Sequence, residues 1–397
     1  MRHPDFTLTA GPTMASPRTL AALGSPITYD YDPVFLERFR GLEGKLAAIY
    51  GTRSDVVLMQ GEAVLGLEAA ARALTRPGLA ALNLASGVYG KWFGLWLAEY
   101  GATLHEVEVP YDEAIDPVDV ERALRAHPEI ELVAFVHSET PSGTLNPAAD
   151  IGRVAKEHGC LVIADVVSSL AGEELRPDEW GLDVCVAGPQ KCLAGPPGMS
   201  LVTVSDAAWE AIRKNPAAPR GSFLSLLDWK ERWLEGGRVA FPYTPSVSDV
   251  YGVDAACDEV LELGLDESIA LHRRAAAAVR AGVVAMGLEL WAAREEIAAS
   301  CVTAVRTPGG VDTMALLGGI RERYGVQLSP GYGELKEKLV RLGHMGPAAR
   351  SLYPIVALSA FGRGLADLGV SVRIGDGVDA ALEVLSRPAL PLAREGV

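Results

Sequence analysis

Two residues of the chain, Lys191 and Asp165, follow strand-like apolar runs and carry opposite charges. Lys191 lies in a Gly-Pro-Gln-Lys turn soon after the run 182–186, and Asp165 directly follows the run 160–164. The carboxyl ends of neighbouring parallel strands meet at one edge of an α/β sheet, where such folds bind their ligands. There a lysine can form a Schiff base with an aldehyde, and an aspartate can keep a pyridine nitrogen protonated. The pair therefore indicates pyridoxal chemistry.

Short β-rich runs alternate with helical patterns over the first half of the chain. This alternation predicts an α/β fold with a mostly parallel sheet and helices on both faces. We predict an N-terminal arm over residues 1–30, a large pyridoxal-binding domain over 31–260, and a smaller α+β C-terminal domain over 261–397. The predicted strands of the large domain are Val56–Met59, Ala80–Leu84, Thr103–Val109, Leu132–Val136, Cys160–Ala164, Val184–Ala187 and Ser200–Val204.

The remaining elements are mostly helical. Apolar spacing predicts a helix over residues 34–50, ahead of the first strand of the sheet. A second long helical pattern covers residues 247–286 and bridges to the C-terminal domain, after a loop-rich stretch over 205–245. In the C-terminal domain, residues 300–305 and 355–357 are predicted as strands among two or three helices.

The composition limits the kinds of partner that the chain can have. Of its 397 residues, 49% are hydrophobic and 22% are charged, which is ordinary for a globular enzyme. A net charge of −15 disfavours nucleic acid and anionic membranes, because both recruit basic patches. The five cysteines form no CxxC pair, and neither a secretory signal nor a membrane-spanning stretch is visible, so we expect a cytoplasmic protein. His137 and Glu139 lack a second ligand cluster, so no metal site is expected.

Loops after three predicted strands offer further ligand groups. Gly61, Glu62 and Ala63 lie where a strand runs into a helix, and backbone amides at such a helix start can hold an anion. Tyr89 follows the next strand and can lie flat on an aromatic ligand. Thr140 brings a hydroxyl to the same sheet edge. These residues extend the candidate site around Lys191 and Asp165.

Seven segments together resemble the class V, fold-type I family of aminotransferases that depend on pyridoxal phosphate (PLP), of the alanine–glyoxylate and serine–glyoxylate kind. They are residues 9–12, 61–69, 87–90, 137–140, 165–169, 188–191 and 341–346. The resemblance runs nearly end to end and implies a fold-type I PLP-transferase. Within the family, the chain most resembles members that use free pyridoxamine and pyruvate, at residues 83–91, 113–117, 228–229 and 241–247.

The resemblance also implies a role for each candidate residue. Lys191 would form the Schiff base and move a proton between its two carbons, and Asp165 would pair with the pyridinium nitrogen. Val167 would pack under the ring and Tyr89 over it. Thr140 would hydrogen-bond near the ring hydroxyl.

Arg341 and Tyr332 concern the second substrate. By the same resemblance, Arg341 would bind the carboxylate of the amino or oxo acid, for which the planar guanidinium is well suited. The pyridoxamine-using members carry an arginine where this chain has Tyr332. The sequence therefore leaves open whether the acceptor is pyruvate or a related 2-oxo acid.

Glu62 bears on whether the bound vitamer is phosphorylated. Relatives that hold PLP have small, hydroxyl or histidine side chains at positions 62–63, and a tyrosine of a neighbouring subunit at the position of Phe241. Two unit charges about 4 Å apart repel by roughly 4 kcal/mol at an effective dielectric near 20, so an ionised Glu62 should reject a phosphate. We therefore expect pyridoxal and pyridoxamine as substrates and no tightly bound cofactor. Gln190 and Thr244, at positions that assist phosphate binding in relatives, favour the alternative of bound PLP.

The predicted function is amino transfer from pyridoxamine to pyruvate, giving pyridoxal and L-alanine and serving vitamin B6 degradation. A homodimer or homotetramer is expected, because active sites of the family lie at a subunit interface. One alternative is a conventional PLP-bound alanine– or serine–glyoxylate aminotransferase. A cysteine desulfurase-like lyase would need a mobile catalytic cysteine, and Cys301 lies instead in a strand-like run. A non-catalytic binding protein is disfavoured, because Lys191, Asp165 and Arg341 are all present.

Overall fold

The computed structural model describes residues 3–350 and 352–387. Its strands are β1 (Phe6–Thr7), β2 (Asp55–Gln60), β3 (Ala80–Ala85), β4 (Thr103–Glu108), β5 (Ile130–Val136), β6 (Ser138–Glu139), β7 (Thr144–Leu145), β8 (Leu161–Asp165), β9 (Val184–Ala187), β10 (Met199–Val204), β11 (Val302–Arg306), β12 (Val326–Gln327), β13 (Ser329–Pro330) and β14 (Leu339–Gly343).

Its α-helices are α1 (Pro17–Leu23), α2 (Pro33–Tyr50), α3 (Ala63–Leu74), α4 (Val88–Glu99), α5 (Pro117–Ala126), α6 (Ala148–Glu157), α7 (Pro177–Trp180), α8 (Asp206–Lys214), α9 (Leu226–Asp228), α10 (Val247–Leu263), α11 (Leu265–Ala285), α12 (Thr313–Tyr324), α13 (Tyr353–Asp367) and α14 (Ile374–Ser386). Shorter helical turns lie at Trp229–Leu234, Glu295–Ile297, Gly333–Leu335 and Gly346–Ala349. Among the helices of the described residues, none is both long enough and apolar enough to cross a membrane.

A seven-stranded sheet forms the centre of the larger part of the molecule. Its strand order is β2-β10-β9-β8-β5-β3-β4, and only β10 runs antiparallel to its neighbours. The other six strands therefore end at the same edge. This arrangement confirms the predicted α/β class with a mostly parallel sheet.

Burial on both faces explains the sequence of these strands. Every residue of β3, β9 and β10 is buried, so their runs of alanine, leucine and valine show no polar alternation. Helix α3 packs closely against β9 and β10, since a Cβ on Gly66 would lie 2.9 Å from Cγ1 of Val186 and 2.8 Å from Cβ of Ser200. The start of α3 is thereby fixed next to the turn that follows β9.

A second apolar core lies in the C-terminal part. Helices α11, α13 and α14 pack together beside the antiparallel sheet β11-β14-β13. The N-terminal arm joins this core, since β1 pairs in parallel with β12 and Leu8 is fully buried in it. The first core spans Phe35 to Val260. The domain boundary at residue 260 stays a prediction, and apart from Leu8 the two cores fall on either side of it.

Three predictions about the C-terminal half were wrong in detail. Residues 355–357 belong to α13 and form no strand, because Pro354 suits the first turn of a helix and Phe361 packs into the second core. The helix predicted over 247–286 divides at Gly264, whose φ of +90° lies outside the α-helical region. The stretch 205–245 contains α8, α9 and a π-helical turn as well as loops.

Candidate active site

A cavity of about 350 Å³ lies at the edge where the parallel strands end. The residues that follow β2, β3, β5, β8 and β9 all contribute to its wall. Its lining residues are Glu62, Ala63, Val64, Leu67, Tyr89, Trp92, Phe93, Trp96, Ser138, Thr140, Asp165, Val167, Ser168, Gln190, Lys191 and Tyr332. Eight of the ten predicted site residues are among them, and Gly61 and Arg341 are not.

Lys191 brings a buried amine to this cavity. Its Nζ donates a hydrogen bond to the carbonyl oxygen of Ala10 at 2.8 Å, so the N-terminal arm contacts the lysine and restrains its amine. Burial, together with the positive charge of Arg341, lowers the pKa of Lys191 from 10.5 to about 8. A lysine with a pKa near neutrality can act as a base or nucleophile in its unprotonated form.

Gly11 allows the arm to approach the lysine this closely. A Cβ at position 11 would lie 2.4 Å from Cδ of Lys191, and the φ of Gly11 is +92°, which other residues rarely adopt. The arm segment 9–12 is therefore part of the site, although it lies far from Lys191 in sequence.

Asp165 is the last residue of β8 and lies in the same cavity. Its Oδ1 accepts a hydrogen bond from the backbone N of Val167 at 2.9 Å. Burial raises the pKa of Asp165 to about 7, and the charge of Glu62 raises it further, while the Val167 amide and Lys191 oppose the shift. A bound cation could therefore draw this carboxyl fully into its ionised form.

Glu139 fixes the first turn of α4, which carries Tyr89. Its carboxylate is fully buried and accepts hydrogen bonds from the backbone N of Gly90 at 2.6 Å and of Tyr89 at 3.3 Å. Only glycine fits at position 87, because a Cβ there would lie 2.5 Å from the carboxyl carbon of Glu139. Burial raises the pKa of Glu139 to about 8. Glu139 thus supports the start of α4 structurally, which the sequence did not predict.

Three aromatic rings form one wall of the cavity. Tyr89 and Tyr332 have ring centroids 5.7 Å apart, and Trp92 lies 6.1 Å from Tyr89 and 5.3 Å from Tyr332. Tyr332 is 42% exposed and Trp92 is 44% exposed, so both lie at the cavity mouth. We call these three residues the aromatic wall.

Arg341 lies behind the cavity wall, on β14. One terminal nitrogen, Nη1, donates to the carbonyl oxygen of Thr140 at 3.0 Å, and its Nε donates to that of Pro330 at 2.6 Å. Burial lowers the pKa of Arg341. The Thr140 hydroxyl in turn shares a hydrogen bond with the hydroxyl of Ser168. Arg341 is thus held beside the cavity with one terminal nitrogen, Nη2, free of hydrogen bonds to the described residues.

Glu62 places a carboxylate at the start of α3. It is the N-cap residue of that helix, it is exposed, and its side chain makes no capping hydrogen bond. Ala63 is buried in the cavity wall beside it. Gly61 has a φ of +131° and donates its N–H to the carbonyl oxygen of Gly198 at 2.8 Å, so it shapes the turn without lining the cavity. The negative charge thus stands where helix amides would otherwise receive an anion.

Several lining residues were not predicted from the sequence to belong to the site. Trp92, Phe93 and Trp96 follow Tyr89 at helical spacing and bring one face of α4 to the cavity. That spacing in the sequence could have predicted that these three side chains share the helix face of Tyr89. Gln190 lies next to Lys191, and its buried Oε1 has no hydrogen-bond partner among the described residues. An acceptor without a donor in a cavity wall indicates that a ligand or water completes it.

His137 and Cys301, which could have served a metal site or a desulfurase, each lie within hydrogen-bond distance of a serine hydroxyl. His137 is buried, its Nδ1 lies 3.0 Å from the hydroxyl of Ser169, and burial lowers its pKa to about 4. Cys301 is fully buried with Sγ 3.3 Å from the hydroxyl of Ser138, and burial raises its pKa to about 12. A buried thiol of this kind does not suit the mobile nucleophile of a desulfurase.

Comparisons with known proteins agree with this geometry. The profile of the class V aminotransferases matches residues 29–332. A pyridoxamine–pyruvate transaminase of Mesorhizobium japonicum is 47% identical over 394 residues, which cover 98% of this chain and 100% of the relative. The chain belongs to the class V aminotransferase family. Members of this family depend on PLP.

Other members of the family extend the comparison. The crystal structure of pyridoxamine–pyruvate aminotransferase from Mesorhizobium loti superposes with a TM-score of 0.94 at 47% identity, covering 97% of both chains. An L-aspartate–glyoxylate aminotransferase of Paracoccus denitrificans is 33% identical and covers 94% of both chains. These likenesses confirm the fold-type I architecture, and the chain is an aminotransferase.

Proposed function

We propose that the chain transfers the amino group of pyridoxamine to pyruvate, giving pyridoxal and L-alanine, and that it uses these vitamers without their phosphate. The observation that carries this proposal is Glu62, an acidic N-cap residue in the cavity lining. The family membership and the 47% identity to a protein named for this reaction support it.

The cavity fits a substituted pyridine ring. Its wall offers the carboxylate of Asp165, at the end of β8, and the amine of Lys191, in the turn after the neighbouring strand β9. Tyr89 and Val167 line the same cavity, and the ring would lie between their side chains. Asp165 would accept a hydrogen bond from the protonated ring nitrogen, and the hydroxyl of Thr140 would meet the ring hydroxyl.

The bound ring supplies an electron sink for the carbon that carries the transferred amino group. Lys191 would move the proton at that carbon. Its pKa of about 8 leaves a usable fraction of Nζ unprotonated at neutral pH, so it can accept the proton and later return it to the other carbon. The hydrogen bond to the Ala10 carbonyl orients Nζ from the side of the arm.

Glu62 would select the vitamer. At the start of α3 its carboxylate can accept a hydrogen bond from the free hydroxymethyl group of pyridoxamine. The same carboxylate repels a phosphate at that position. The helix N-terminus, which favours negative charge, then stabilises Glu62 instead of the ligand.

Arg341 would bind the carboxylate of the oxo acid through its remaining terminal nitrogen. It is held rigidly by Thr140 and Pro330, which lowers the entropy lost on binding. Tyr332 adds a ring beside this position in place of a second cation. We infer that a small 2-oxo acid such as pyruvate fits here, since a second carboxylate would lack a positive partner.

The proposal is tested by incubating purified protein with pyridoxamine and pyruvate and measuring pyridoxal and L-alanine by mass spectrometry. Equal amounts of both products are expected from the wild-type protein, and far less of either from Lys191→Ala protein in the same time. Absence of both products from a folded wild-type protein would contradict the proposal.

The second candidate is a conventional aminotransferase that keeps PLP bound and uses glyoxylate as acceptor. The buried, unpartnered Oε1 of Gln190 favours it, because an amide in this position could also turn its N–H₂ toward a phosphate. PLP that remains bound through purification, with transfer from alanine or serine to glyoxylate, would favour this candidate over the first.

We also propose a homodimer or homotetramer in the cytoplasm. Ile27 and Tyr29, on the arm, are 75% and 71% exposed in the single chain, as residues at a subunit contact would be. All five cysteines are free and buried, which suits a reducing compartment. Analytical ultracentrifugation tests the assembly, and a monomer at micromolar concentration would contradict it.

A further inference from the structure

Two histidines and a glutamate meet at the edge of the central sheet, away from the active site. His105 lies on the edge strand β4, His127 follows the end of α5, and Glu129 lies in the turn before β5. None of the three lines the cavity around Lys191. The proposed amino transfer gives this cluster no role.

The donor atoms of the cluster are spaced as metal ligands are. Nε2 of His105 lies 3.6 Å and Nδ1 of His127 lies 3.3 Å from the same carboxylate oxygen, Oε1 of Glu129. All three side chains offer a donor atom within 4.8 Å of the other two. Ligand bonds of about 2.1 Å place two ligands of a tetrahedral zinc ion about 3.4 Å apart. The observed separations therefore require only small movements to close around an ion.

The cluster also leaves a polar atom without a partner. Nε2 of His105 is buried and has no hydrogen bond to any described residue. Its separation from Glu129 is too long for one, and the 3.3 Å contact of His127 is near the upper limit. A buried imidazole nitrogen without a donor or acceptor is unusual in native proteins. A metal ion at the centre of the cluster would satisfy all three groups together.

We propose that His105, His127 and Glu129 form a surface binding site for a divalent transition-metal ion, with Zn²⁺ as the preferred ion. Two imidazoles and one carboxylate suit zinc, and the fourth position is open to water. The ion would tie the connection between α5 and β5 to the edge strand β4. Its role is structural, because the site lies outside the cavity.

The site is tested by titrating Zn²⁺ into chelator-treated, vitamer-free full-length protein in an isothermal titration calorimeter. One ion per chain and a higher melting temperature are expected. His105→Ala and Glu129→Gln should each weaken binding by about 10- to 100-fold or more, since loss of even an outer partner of a metal ligand costs that much. His158→Ala is the matched control, because this surface histidine also contacts a glutamate, Glu121, but belongs to no cluster.

Two results would overturn the proposal. One is the absence of Zn²⁺ binding by the wild-type protein up to millimolar concentration. The other is binding that His105→Ala and Glu129→Gln leave unchanged, which would assign the ion to a different site. Circular dichroism and amino-transfer rates, which we expect to be unchanged in both variants, show that a lost signal reflects the lost ligand and not misfolding.

Discussion

Glu62→Gln removes one negative charge from the cavity wall and keeps the size of the side chain. We expect the variant to bind phosphorylated vitamers far more tightly than the wild-type protein does. The unphosphorylated vitamers should be bound almost equally by both proteins, because glutamine can also accept a hydrogen bond from a hydroxymethyl group.

The size of the effect follows from Coulomb's law. Glu62 is exposed in the single chain, so an effective dielectric between about 20 and 40 is appropriate. At a separation of about 4 Å, the repulsion is then roughly 2 to 4 kcal/mol for each phosphate charge. Even the lower value corresponds to a change in the dissociation constant of about 30-fold.

The assay compares pyridoxamine with pyridoxamine 5′-phosphate by calorimetric titration. Both ligands are amines and cannot condense with Lys191, so the comparison measures noncovalent binding alone. Glu267→Gln is the matched control, because it removes an exposed carboxylate on α11, away from the cavity. It should change neither affinity.

Similar affinities of Glu62→Gln and wild-type protein for the phosphorylated vitamer would contradict the role of Glu62. If Glu62→Gln binds pyridoxamine 5′-phosphate within about threefold of the wild-type affinity, Glu62 does not exclude phosphate. The choice of unphosphorylated vitamer would then lose its physical basis.

Three further predictions concern the groups around the ring. Lys191→Ala should lower the rate of amino transfer by about 10²- to 10⁴-fold or more and still bind pyridoxamine, as turnover and calorimetry would measure. Arg341→Gln should raise KM for pyruvate by about 10- to 150-fold, because a hydrogen bond from a charged group is lost. The affinity for pyridoxamine should change little. Without ligand, Asp165→Asn should raise the free energy of unfolding more at pH 8 than at pH 5. The difference between the two pH values should be roughly 2 to 3 kcal/mol, as measured by chemical denaturation. The raised pKa, 3.8 to about 7, makes the ionised carboxyl of the folded state increasingly costly across that interval. Equal stabilisation at both pH values would contradict the assigned burial.

The strand ends were predictable from sequence because fully buried strands leave continuous apolar runs. Those runs predicted the strands of the central sheet. Asp165 and Lys191 come after two of the runs and line one cavity, because parallel strands end at the same edge of the sheet. The resemblance to a family then supplied Arg341. Its strand, β14, had not been predicted, because only five residues pair there and the run 339–343 contains a charge.

The contacts that depend on distant segments could not be predicted. The carbonyl oxygen of Ala10 in the arm accepts the hydrogen bond of Lys191 across a separation of 181 residues, and no local pattern indicates that approach. The error at 355–357 has the opposite cause, since a three-residue apolar run looks the same in a buried strand and in a buried helix. Here the segment is helical, and the helix, α13, packs against α11 and α12.

The ratio of kcat/KM for pyridoxamine to that for pyridoxamine 5′-phosphate tests most directly which vitamer the enzyme uses, with pyruvate as the common acceptor. We expect a ratio above about 30 in the wild-type protein, because the repulsion by Glu62 sets this lower bound. The ratio should fall sharply in Glu62→Gln. A wild-type ratio at or below one would contradict the proposal that the enzyme acts on the free vitamer.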